Sequence, residues 1–271
     1  MIDTGRRNLL GSVALAALGG CALPPTRIPM DALRPPSLCA GRAAELVVML
    51  PGAYSRPPEF VDEGFLTLLR ARGAAVDVVI ADAHLGYFYE RSVMVRLRED
   101  LILPARRQGY ARIWLVGISL GGFAALGYGM HHGDEIDGVL ALAPFVGSRL
   151  LVQEIAAAGG PLRWREAQRN KPRAASDAAA AGTEDIEREL WTWLVDRRTD
   201  SGAPPIYLGC GRDDRFIEAS QLVSTLLPAG HFTMAAGGHD WPAWRDLWAG
   251  WLDRGLMPRV RPAACSKPGA A

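Results

Sequence analysis

Lysine is almost missing from this chain. Only Lys171 and Lys267 are lysines among its 30 basic residues, and 29 acidic residues leave a formal charge of +1. Without a basic block nothing can track a phosphate backbone, so nucleic acid is not an expected partner. No glycine-rich loop ends in Lys-Ser or Lys-Thr, which removes a P-loop nucleotide site. Cysteine is scarce as well. Cys21, Cys39, Cys210 and Cys265 show no metal-ligand spacing with the five histidines, so neither a metal nor a cofactor is expected. No apolar run reaches the roughly 20 residues that cross a bilayer. What remains is an ordinary globular composition, 49% hydrophobic and 22% charged over 271 residues, enough for a full core.

The two ends differ from the body. Arg6 and Arg7 precede an apolar, small-residue stretch from Leu9 to Leu18, the pattern of an export signal over residues 1–20. Leu18-Gly19-Gly20-Cys21 resembles a bacterial lipobox, which implies a lipid on Cys21 and a place in the bacterial envelope, facing the periplasm. Arg6-Arg7-Asn8-Leu9-Leu10 also resembles a twin-arginine signal, leaving the export route open. Five prolines between Pro24 and Pro36 make residues 21–44 an extended tether. Cys39 and Cys265 lie just outside the body, where an exported protein can form a disulfide. Cys210 ends an apolar run and reads as a buried small hydrophobe. Residues 256–271 form a tail.

Within 45–255, short apolar runs alternate with amphipathic ones. Strands are expected at 46–50, 76–81, 113–116, 139–143, 206–208 and 231–235. Helices are expected at about 58–72, 89–108, 120–129, 216–227 and 241–252. Strands apolar on both faces and separated by helices indicate a parallel sheet covered on both sides. Six of them make an α/β, doubly wound, mostly parallel sheet. The alternation breaks at about 146–203, where helical runs at 148–158 and 183–196 read as a small helical cap. Trp241, Trp244, Trp248 and Trp251 recur at helical spacing as one core-facing stripe.

Gly117-Ile118-Ser119-Leu120-Gly121 follows a strand and opens a small-residue helix. That context is a nucleophile elbow, with Ser119 on a turn too tight for larger flanking residues. A serine hydroxyl needs a base. His131 and His132 end the helix that Ser119 begins, His84 precedes it in the chain, and His231 opens a strand. His239 follows Gly237-Gly238 at the carboxyl end of the last strand, the edge where open sheets bind ligands. The imidazole needs an acid. Asp213 and Asp214 both follow the strand at 206–208, and either fits the chain order Ser, Asp, His. The amide of Leu120, next to the nucleophile, is one oxyanion donor.

On these motifs the body resembles the α/β-hydrolase superfamily. Members with an acid loop of the form Gly-x-x-Asp-Arg carry the acid in the fourth place, which implies Asp214 within Gly211-Arg212-Asp213-Asp214-Arg215. Pro51-Gly52-Ala53-Tyr54 stands where many members have His-Gly-x, which implies Ala53 as second oxyanion donor with Tyr54 the alternative. Gly237-Gly238-His239-Asp240-Trp241-Pro242 resembles the histidine loop of esterases akin to S-formylglutathione hydrolase and enterochelin esterase. The resemblance implies a small-molecule acyl ester or thioester substrate, attacked by Ser119 with His239 as base and Asp214 as acid. An acyltransferase with the same three residues, or a non-catalytic envelope binding protein on this fold, are the alternatives. Tyr54, His84, Tyr87 and Phe88 are candidates for the substrate pocket, since aromatic walls at strand ends commonly line one.

Overall fold

The computed structural model describes residues 23–259 except 38, 40 and 171–182. The lipidation expected at Cys21, the export signal before it, Cys265 and the polar middle of the cap lie outside these residues. Cys39 is buried and disulfide-bonded.

The chain enters through a two-residue strand, β1 (Ala32–Leu33). β2 (Glu45–Leu50) is fully buried, as its unbroken Leu-Val-Val-Met-Leu run requires of a strand covered on both faces. Two short helices follow, α1 (Pro57–Asp62) and α2 (Phe65–Ala71), where the sequence suggested one; Gly64 separates them with a φ of 83°. After β3 (Val76–Ala81) comes α3 (Leu85–Tyr89), a single turn. The expected long helix begins only at α4 (Val93–Arg96). It widens into a π-helical stretch at Leu97–Ile102 and ends as α5 (Leu103–Arg107). Pro104 has no N–H for the carbonyl four residues back, and the wider turn just before it absorbs that loss.

β4 (Arg112–Ile118) leads through Ser119 into α6 (Leu120–His132), and β5 (Gly138–Leu142) follows. Between β5 and the next strand stand α7 (Arg149–Ala157), α8 (Pro161–Arg169) and α9 (Thr183–Asp196). The body closes with β6 (Ile206–Gly211), α10 (Ile217–Ser224), β7 (Phe232–Ala235) and α11 (Trp241–Asp253).

The sheet has seven strands in the order β1-β3-β2-β4-β5-β6-β7, one more than expected. All neighbours are parallel except β1, which runs antiparallel to β3 with Ala32 opposite Ala81 and Leu33 opposite Ile80. This is the α/β-hydrolase fold. β1 lies inside the proline-rich stretch read as a free tether, so part of that stretch belongs to the body. Met30 is buried, and its N–H donates to Asp100.

Each face of the sheet carries its own core. Phe60, Phe65, Trp248 and Trp251 pack on one side beneath α1, α2 and α11, with Phe65 and Trp248 stacked at 6.0 Å. Trp244 is buried with them, while Trp241 is only half-buried against Phe60 and Phe65. α9 joins the opposite core through Leu190, Trp191 and Leu194. The helices between β5 and β6 are also tied to one another by ion pairs, Arg188 to Glu154 and Arg165 to Asp196. The chain leaves β2 toward β3 on one side and later forms β4 on the other. The carboxyl ends of β2 and β4 therefore flank the switch point where such sheets hold ligands.

Candidate active site

Ser119 sits at that switch point with φ 53° and ψ −113°. A non-glycine residue there stores about 1–3 kcal/mol of strain and needs its surroundings to hold it. Three hydrogen bonds do so. Its N–H donates to Leu142 O at 2.9 Å, and its carbonyl accepts from Phe123 N and Phe145 N at 3.1 and 3.0 Å. The flanking glycines are sterically obligatory. A Cβ on Gly117 would lie 2.2 Å from Gly121 O, and one on Gly121 would lie 2.2 Å from Leu50 O. The turn is thus pressed between α6 and the end of β2.

The Pro51–Tyr54 turn lies directly beside the serine, since a Cβ on Gly52 would be 3.5 Å from Ser119 Cβ. Among the described residues, neither the Ala53 amide nor the Leu120 amide donates to a protein acceptor. Leu120 opens α6, so its N–H also stands at the positive end of the helix dipole.

Asp214 is the aspartate that meets His239. Its oxygens lie 2.9 and 3.1 Å from His239 Nδ1, and its side chain is fully buried. Asp213 is exposed and contributes its backbone N–H to Gly237 O at 3.0 Å. That bond and Arg212 N to Ala235 O hold the Asp214 loop against the strand and loop that lead to His239. Asp214 Oδ1 also accepts from Phe216 N at 2.8 Å, orienting the carboxylate before α10 begins. Asp240 caps α11 by accepting from Ala243 N. The His239 ring is gripped edge-on by Phe216 and Trp244, at 5.0 and 5.1 Å. Among the described residues the Ser119 hydroxyl makes no protein hydrogen bond. Nucleophile-to-base bonds commonly form only when substrate closes the site.

An apolar slot of about 210 Å³ leads away from Leu120 between α6, α4 and α9. Phe88, Phe123 and Phe145 are among its walls. The other pocket candidates fall elsewhere. Tyr87 is buried in the core, its hydroxyl taking the Arg27 N–H and donating to the Arg27 carbonyl. His84 caps α3 by accepting from Gly86 N, and its ring packs on Tyr87 at 4.6 Å. Tyr54 stands 89% exposed on the turn beside Ser119 and does not line the slot. Within 84–89 the difference is one of spacing: α3 turns Phe88 toward the slot and Tyr87 toward the N-terminal segment, which a loop reading of that stretch does not resolve. Sequence reasoning missed Phe145 and Phe216, rings joined at 5.9 Å between the serine turn and His239. Their positions just past β5 and just past Asp214 were the available signal.

No family model matches this sequence. An acetyl esterase of Caldicellulosiruptor saccharolyticus is 26% identical over 171 residues, 60% of this chain and 60% of that protein. The match thus spans less than two thirds of the relative's length. Among solved structures, an s-formylglutathione hydrolase from Staphylococcus aureus superposes with a TM-score of 0.55 at 11% identity, covering 86% of this chain and 98% of its own. Est1E from Butyrivibrio proteoclasticus, solved with ferulic acid bound, gives 0.53 at 15% identity, covering 83% and 94%. At these identities the structural likeness establishes the fold.

Proposed function

We propose that this α/β-hydrolase-fold chain is a serine hydrolase cleaving carboxylic ester or thioester bonds through an acyl-serine at Ser119. The reading rests above all on the Asp214–His239 pair: a fully buried carboxylate with both oxygens on one imidazole nitrogen, at the sheet edge where Ser119 stands. A carboxylate at Nδ1 keeps the proton on that nitrogen and leaves Nε2 free to act as base.

In the first half-reaction, Ser119 Oγ forms a bond to the acyl carbon while its proton passes to His239 Nε2. The carbonyl electron pair moves onto oxygen, held by the Ala53 and Leu120 amides. Collapse breaks the bond to the leaving alcohol or thiol, which takes the proton from His239. Water then attacks the acyl-serine, giving one proton to His239; the acid departs and the proton returns to Ser119. Losing one oxyanion donor costs about 10²–10³ in rate. The acetyl esterase relative supports an ester-type substrate. Residues 1–21 support export and lipidation at Cys21, which would carry the enzyme on the bacterial envelope facing the periplasm.

A fluorophosphonate probe tests the core of this reading. The folded protein should be labelled at Ser119, and Ser119→Ala should not be labelled. Absence of labelling in the folded parent protein would defeat it.

A further inference from the structure

We infer that the slot under α9 holds the acyl half of the substrate, and that it selects an apolar acyl group of about seven non-hydrogen atoms. This rests on the hydrolase reading above and adds the substrate class to it. The size follows from volume, since 210 Å³ is about seven times the ~30 Å³ share of one water.

Which half of the substrate enters follows from the direction of proton transfer. His239 must hand its proton to the leaving group, so that group departs on the His239 side. The slot lies on the other side of Phe145. That ring meets Phe123, a slot wall, edge-on at 5.9 Å, and meets Phe216, the ring against His239, at the same distance. Neither Asp214, Phe216 nor His239 lines the slot, whereas Leu120, the residue next to the nucleophile, does. With the carbonyl oxygen at the Ala53 and Leu120 amides and the leaving group toward His239, the acyl chain is the remaining substituent, and the slot is the space left for it.

The slot follows α6 from Leu120 to His131, eleven residues, or about 16 Å at 1.5 Å per residue. Phe123 and Phe145, whose N–H groups both donate to the Ser119 carbonyl, wall it near the serine turn, whereas exposed His131 stands at its far end. Midway, Gly127 carries no side chain, and the end of Met94 occupies the space over it. A Cβ there would lie 2.7 Å from Met94 Cε, the far end of a flexible side chain that also lines the slot. Gly127 and Met94 together therefore decide how far an acyl chain can reach.

The test is kcat/KM of the mature protein on p-nitrophenyl esters from acetate to dodecanoate. Each buried methylene should raise kcat/KM by about fourfold, up to an acyl group near the stated size, with no further gain beyond it. Gly127→Leu places a side chain against Met94 and should lower the octanoate-to-acetate ratio at least tenfold. Met94→Ala removes the opposing side chain and should raise the dodecanoate-to-octanoate ratio. The two ratios move independently of how much folded protein each preparation contains. Fluorophosphonate labelling of Ser119 runs alongside. If Ser119 is labelled but neither substitution changes its ratio, the acyl assignment is overturned and the hydrolase reading stands. If the folded parent protein is not labelled, both fall.

Discussion

Replacing Asp214 by asparagine probes the site with almost no change in volume. The Asp214 side chain is fully buried and contacts His239 Nδ1 through both oxygens, while Oδ1 also accepts from Phe216 N at 2.8 Å. An asparagine keeps its carbonyl oxygen toward Phe216 and so turns its NH₂ toward His239. Nδ1 must then accept, which puts the ring proton on Nε2, where the serine proton should go. This tautomer cannot act as base, and the expected loss in kcat is about 10⁴, or about 5.4 kcal/mol at 1.36 per decade. Asp213→Asn is the control, because Asp213 is exposed and its contact with Gly237 uses the backbone; a surface change of this kind is worth about twofold. The assay is steady-state hydrolysis of p-nitrophenyl acetate, with thermal melts to show that both variants fold. More than a tenth of parental activity in Asp214→Asn would refute the tautomer argument. An equal loss in Asp213→Asn would refute the assignment of the acid.

Three further outcomes are expected. In Gly121→Ala the new Cβ would fall 2.2 Å from the Leu50 carbonyl, a clash between backbones that should cost about 3 kcal/mol and lower Tm by about 6–12 °C in a circular-dichroism melt. Burial disfavours the charged Glu135 carboxylate, but hydrogen bonds from Arg98 and Tyr128 outweigh it and hold its pKa below the ordinary value. Its stabilisation is therefore complete above about pH 4.3 and is lost as pH falls toward the folded pKa; urea midpoints at pH 6 and pH 3.5 should differ less in Glu135→Gln than in the parent. If Cys21 is lipidated, Cys21→Ser should move the protein from the membrane to the soluble fraction of its host, whereas an unmodified Cys21 peptide by mass spectrometry in the parent protein would refute lipidation.

The sheet could be read from the chain because its central strands are buried on both faces. Leu46 to Leu50 and Ile113 to Val116 are apolar throughout, and no surface element tolerates that. Element edges were less legible. Gly64 interrupts a helix whose apolar spacing runs on through it, Pro104 widens the turn before it, and β1 is only two residues long between prolines. Its pairing with Ile80 and Ala81 exists only once β3 offers a free edge.

The sequence alone determined what backbone chemistry dictates nearby: a serine between glycines, after a strand and before a helix, has few places to go but a strained turn. It also put Ser119, the Asp213-Asp214 pair and His239 each after a strand of the sheet. Only the tertiary structure decided which of two adjacent aspartates faces His239. Asp213 and Asp214 are chemically identical, and the choice depends on which side of the loop is pinned by Gly237 and Ala235 from the neighbouring strand. The same holds for the aromatic residues. Tyr87 and Phe88 are neighbours in the chain, yet one anchors the N-terminal segment and the other walls the slot. Side chains on one helical turn point in different directions, and what lies in each direction is set by residues far away in sequence.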